Sequence, residues 1–205
     1  VDTRGGDGFI AGAAGDVSLK GANGIVMPGS IDASGGSGIS SASGGNVAFN
    51  SDTVFGADAT VSTGSGTGDI TFAGTLDSDS ATRALTLIAG TGNIDFDGAV
   101  GNTDALGAVT IQSAATLTAD KAFKAGSFTQ SAGSVATQFD GAVTLTGNFD
   151  FTGTALTFTA SGNTVGGTMD VTNSGLFATA DNADMTVTGQ FTQDGSGVNG
   201  TNSLG

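Results

Sequence analysis

Short apolar–polar–apolar runs recur along this chain, each opened by a small residue and bounded by Gly, Asn, Asp, Ser or Thr. The phrase reads Gly15-Asp16-Val17-Ser18-Leu19, Gly45-Asn46-Val47-Ala48-Phe49, Gly68-Asp69-Ile70-Thr71-Phe72 and Gly92-Asn93-Ile94-Asp95-Phe96. It returns as Gly107-Ala108-Val109-Thr110-Ile111, Gly126-Ser127-Phe128-Thr129-Gln130 and Gly147-Asn148-Phe149-Asp150-Phe151. Gly167-Thr168-Met169-Asp170-Val171 and Gly189-Gln190-Phe191-Thr192-Gln193 close the series. A period of two within each run predicts a strand with one buried face, and the small polar clusters between runs predict turns.

The runs are themselves spaced regularly. In the second half the opening glycines stand at 126, 147, 167 and 189, steps of 21, 20 and 22 residues. Val135, Leu156 and Leu176 follow three of these glycines by nine residues, and Val143, Val165 and Met185 follow by 17 or 18. Three short strands per unit with turn-forming corners predict one coil of a parallel β-solenoid, at about 20–24 residues per coil. Alternation then puts Phe128, Phe149, Met169 and Phe191 inside and Thr129, Asp150, Asp170 and Thr192 outside. No coil can bury its apolar side alone, so stability is expected from the stack, with coils about 4.8 Å apart. Corners need a positive φ or a side chain that bonds its own backbone, which accounts for Gly, Asn and Asp there.

The first half is less even: Gly15, Gly45, Gly68 and Gly92 are separated by 30, 23 and 24 residues, and Gly35-Gly36-Ser37-Gly38 reads as a longer loop. No shift in composition marks a second domain. The expectation is a single solenoid over residues 1–205, irregular in 1–105 and more regular in 106–205, with about ten coils in all.

Composition narrows the alternatives. The chain has 205 residues with 13 Phe, one Pro and no Cys, His, Trp or Tyr, and Glu is absent from its 19 acidic residues. Thr, Val, Phe, Gly, Asp and Asn are strand and turn formers, so the class is all-β. Disorder is disfavoured because 38% of residues are hydrophobic and alternate instead of scattering. Tandem immunoglobulin-like sandwiches would bring a core Trp and a corner Tyr, and an antiparallel barrel would lack the superperiod. The net charge of −14 repels nucleic acid and anionic membranes, and no apolar stretch is long enough to insert in a bilayer. The chain starts at Val1 without a signal peptide, which suggests a processed chain or a fragment.

Two groups of residues resemble a known family. Gly29-Ser30-Ile31-Asp32-Ala33-Ser34-Gly35 with Gly44-Gly45-Asn46-Val47-Ala48-Phe49 is similar to repeats of filamentous-haemagglutinin-type exoproteins. The run from Leu85 to Phe96 and Phe191-Thr192-Gln193 resemble repeats of very large bacterial surface proteins. The resemblance implies a right-handed parallel β-helix serving as an adhesin, stalk or cell-surface fibre, outside the cell.

Composition excludes a His-dependent triad, a Cys nucleophile and a His-ligated zinc. Carboxylate chemistry is left, with Asp95 and Asp97 expected on one outward face, about 6.5–7 Å apart. Asp150 and Asp170 are expected to stack on adjacent coils. Against catalysis, outward Asp also keeps a strand soluble and discourages sideways pairing, and no basic residue lies nearby in sequence to grip an acidic sugar. No cofactor is implied; a structural Ca²⁺ is the one ion that Asp-bearing turns could hold. The nearest matches to a glycine-rich calcium repeat are Gly5-Gly6-Asp7-Gly8-Phe9-Ile10 and Gly35-Gly36-Ser37-Gly38-Ile39-Ser40, and neither meets it. Ice binding would need Thr-x-Thr arrays on one face, whereas Thr116-x-Thr118, Thr144-x-Thr146, Thr157-x-Thr159 and Thr186-x-Thr188 alternate in phase between two. Asn199-Gly200-Thr201 matches a glycosylation sequon, and Arg4-Gly5-Gly6-Asp7 carries one Gly too many for an integrin tripeptide.

The functional expectation is a non-enzymatic structural segment of an exported bacterial surface protein: a fibre subunit, stalk or adhesin shaft. Its partners would be copies of itself end to end, or flanking repeats of the same chain. The alternative is a module that binds glycans or a host surface. A polysaccharide-active β-helix enzyme and an ice-binding solenoid stand behind these two.

Overall fold

The computed structural model describes residues 1–27, 29–39, 42–180 and 183–195, and the backbone of Asn202–Ser203. Among the described residues there is no helix, and every strand pairing is parallel. The chain is a β-solenoid of about seven turns between Val17 and Phe177, with three stacked faces. This is fewer than ten coils, because the early coils are long.

The first face stacks Val17–Leu19, Val47–Phe49, Ile70–Phe72, Ile94–Phe96, the end of Leu106–Ala119, Gly133–Phe139, Leu156–Phe158 and Phe177–Thr179. Its register pairs Val17 with Val47, Ile70 with Ile94, and Leu156 with Phe177. The second face runs from Ile31–Asp32 through Ala59–Ser62, Leu85–Ile88, the start of Leu106–Ala119, Phe123–Gln130, Phe149–Gly153 and Met169–Asn173 to Phe191–Asp194. The third stacks Ile25–Met27, Thr53–Phe55 and Leu76–Ser78, passes through single bridges at Val100, and continues through Phe123, Val143–Leu145 and Asn163–Val165 to Met185–Val187. The 14-residue strand Leu106–Ala119 serves two faces, because a register shift at its middle turns it round a corner.

The interior is one continuous column of buried side chains. Phe49, Phe72 and Phe96 stack face to face at 4.5 and 5.2 Å between ring centroids. The next position in their register is Ala119. The small side chain leaves room there, and Phe123 enters from the third face to meet Phe96 edge-on at 5.9 Å. Above it Phe139 stacks on Phe158 at 5.3 Å and Phe128 on Phe149 at 4.9 Å. Each such pair adds about 0.5–1.5 kcal/mol beyond the area it buries.

Phe128, Phe149 and Met169 are buried, as the alternation predicts. Phe191 departs from it. It keeps Met169's register but is 41% exposed, because among the described residues no strand stacks beyond its own on that face. Counting nine residues from each glycine also slips: Val135 and Leu176 are exposed, and the inward column at that level is Thr137, Leu156 and Phe177. The corner before these strands varies by one or two residues, and one residue of slip turns a side chain to the other face. Val143 and Val165 are both buried but belong to neighbouring columns: Val143 aligns with Asn163 and Met185, Val165 with Leu145 and Val187.

Candidate functional site

The repeated Gly-Asp/Asn pair builds the corners of the first face. The backbone N–H of Asn46 donates to Asp16 Oδ1 at 2.7 Å, that of Asp69 to Asn46 Oδ1 at 2.9 Å, and that of Asn93 to Asp69 Oδ1 at 2.7 Å. Thr116 Oγ1 completes the column by donating to Asn93 Oδ1 at 2.7 Å. Other corners repeat the device: Thr75 N–H to Asp52, Ala84 N–H to Asp58 and Thr168 N–H to Asn148. Some Asp do bond their own turn, as Asp32 does with the N–H of Ser34 and Asp79 with that of Ala81. The recurring ones instead tie each coil to the next. The glycine before each is where successive backbones come closest: a Cβ on Gly45 or Gly92 would overlap the carbonyl of Gly15 or Gly68.

The outward carboxylates form two columns. Asp95 is half-buried and accepts a 2.5 Å hydrogen bond from Thr118 Oγ1. Asp97, Asp120 and Asp140 hold one phase on consecutive coils, their N–H groups donating to Phe72, Phe96 and Ala119. Partial burial, then the charges of Asp120 and Asp95, push the Asp97 carboxyl up from its ordinary value. Asp150 pairs in register with Asp170, and burial, then Asp170, raises it likewise. The ion pairs among the described residues are Arg4 with Asp2 and Asp32, and Arg83 with Asp79. No cation faces the Asp97 or Asp150 columns through an ion pair. These carboxylates stand on open sheet faces, where a general acid and base would lack both a cleft and a group to grip substrate.

Among the described residues, no three carboxylates converge to hold a metal ion. The two glycine-rich loops lie on one another, and Asp7 Oδ1 is taken by the N–H and hydroxyl of Ser37, at 2.7 and 2.8 Å. Those two bonds hold the Asp7 carboxyl below its ordinary value. Arg4 is bound to Asp2 at 2.9 Å, so Arg4 and Asp7 are each engaged with different partners. Ser40 and the Asn199 sequon lie outside the described residues.

Thr144 and Thr186 with their Thr-x-Thr partners stand on the third face, and Thr116, Thr118, Thr157 and Thr159 on the first. The longest threonine column is one that the Thr-x-Thr search missed: Thr60, Thr86, Thr110 and Thr129 align on four consecutive coils of the second face. The signal was the central polar position of the repeated phrase, read coil by coil. Buried polar side chains were missed as well. Gln130 accepts from Thr137 Oγ1 at 2.8 Å inside the stack, and Asn163 Oδ1 accepts from the N–H of Val143 at 2.9 Å. Comparison with family models, with curated proteins and with solved structures finds no match to this chain in any of the three.

Proposed function

We propose that this chain is a non-enzymatic shaft segment of an exported bacterial cell-surface protein, a stalk or fibre unit acting outside the cell. The observation that carries the reading is the continuous apolar interior, linked coil to coil by side-chain bonds at the corners. Such a stack resists bending and local opening, since no coil is stable without its neighbours. Its outward faces offer polar side chains and no acid–base pair in a cleft. The similarity of its repeats to those of haemagglutinin-type exoproteins points the same way. Electron microscopy of the native particle tests this: a shaft gives uniform straight rods, and flexible or collapsed particles would overturn the reading.

A glycan-binding module is the second reading, favoured by one observation. A groove of about 330 Å³ runs across three coils at one corner, lined by hydroxyls of Ser131, Thr152, Thr154, Thr172 and Ser174. A glycan array separates the two readings, because a shaft captures nothing selectively.

A further inference from the structure

The first two coils send out a narrow finger of two layers, residues 5–14 and 35–44. Gly12 N–H donates to Gly6 O at 2.8 Å, closing the first layer, and Ala42 N–H to Gly36 O at 3.4 Å closes the second. Gly36 N–H to Gly12 O at 2.9 Å, Gly8 N–H to Ser37 O at 3.1 Å, and the Asp7 bonds to Ser37 join the layers. The finger is therefore fixed in shape. Its tip carries Phe9, Ile10 and Ile39, which are 80%, 86% and 75% exposed. Bulky apolar side chains grouped at the end of an ordered projection mark an interaction surface.

The last described coil holds the complement. A cavity of about 410 Å³ opens there between Phe177, Ala183, Met185, Val187 and Phe191, with Asp184 its one charged lining residue. That is more than twice the roughly 150 Å³ that accepts a benzene ring in an apolar core, enough for a phenyl ring and an aliphatic chain together. The finger cannot reach the cavity of its own chain. Seven turns separate them, about 34 Å along the axis, while a folded-back loop of ten residues extends about 17 Å at most.

We infer that the Phe9–Ile10 tip of one copy docks into the Phe177–Phe191 cavity of a second copy. The two surfaces differ and lie at opposite ends of the described stack, so the contact is heterologous and does not close on itself. Each copy that docks presents a new cavity, and the shafts join head to tail into an open file. This rests on the shaft reading and adds to it the partner and the residues that hold it.

The test is sedimentation of the full chain over a concentration series. Wild type gains mass with concentration. Phe9→Ser/Ile10→Ser, which alters only exposed side chains, raises the concentration needed by at least about tenfold. Val187→Trp, which fills the cavity, does the same, with far-UV circular dichroism confirming the fold of both variants. Mixed in equal amounts, the two variants form a species of two chains and nothing larger, since only one knob and one cavity are free in the pair. Wild type that stays monomeric throughout, or a tip variant that associates like wild type, overturns the docking. A monomeric wild type that still images as a straight rod would leave the shaft reading in place; selective glycan capture would remove that reading without touching the sedimentation result.

Discussion

The N–H of Asn93 donates to the side chain of Asp69 at 2.7 Å, although 24 residues separate them in the chain. The two residues occupy the same corner of successive coils, and the bond fixes the register of one coil on the next. Asp69→Ala leaves that N–H without its partner, and the expected cost is about 1–2 kcal/mol in chemical denaturation. Asp69→Asn keeps the acceptor and should recover most of the loss, whereas equal losses for the two variants would count against the corner bond.

The glycines divide into two kinds. A Cβ on Gly92 overlaps the backbone of Gly68, while one on Gly15 meets no atom within 4 Å. Gly92→Ala should cost about 1–3 kcal/mol by forcing the coils apart. Gly15→Ala should fall within about 0.5 kcal/mol of wild type. Thermal melting of the pair decides it.

Phe72 lies between Phe49 and Phe96 in the stacked column and is fully buried. Phe72→Ala is expected to cost about 3–5 kcal/mol, by cavity formation and two lost ring contacts. Phe191, in the same type of repeat position but partly exposed, should cost less than about 1 kcal/mol when changed to Ala. Guanidinium titrations of both variants compare the values directly.

Stability should depend on pH in two stages. Folding raises the carboxyls of Asp97 and Asp150, through burial first and neighbouring Asp second. A raised acid binds its proton more tightly in the folded chain, so stability grows as the pH falls from neutrality through the raised values and stops growing below about 4. Asp2, Asp7 and Asp79 are lowered, by hydrogen bonds from Arg4, Ser37 and Arg83, and their contribution is lost as the pH falls below about 4. Melting temperature should therefore peak in mildly acid solution. Asp150→Asn should raise the melting temperature at pH 7 and flatten the rise toward acid; an unchanged profile would exclude Asp150 as a source.

The solenoid was legible because its inward positions repeat in type. Phe128, Phe149 and Met169 share a phase, and any period near 21 residues puts them in one column. The corners were half legible. Glycine and Asp or Asn announced a turn, but nothing local told that Asp69 serves Asn93 and not its own loop, since its partner is a whole coil away. Fixed counting from glycine failed at Val135 and Leu176 for a related reason: corners take up single residues without disturbing the strands, and only pairing restores the register. The exposed tip at Phe9 and Ile10 looked like another apolar run. Its meaning depends on the two layers of backbone that hold it away from the core.

The corner bonds of Asp7, Asp16, Asn46, Asp52, Asp58, Asp69 and Asn148 share a direction: the earlier coil supplies the acceptor and the later coil the N–H. A chain emerging with its N-terminal side first thus always meets a finished template. Each arriving corner finds its oxygen already in place, and none of these links waits for residues still to come. The order in which the protein is made and the order in which its coils can be laid down are the same.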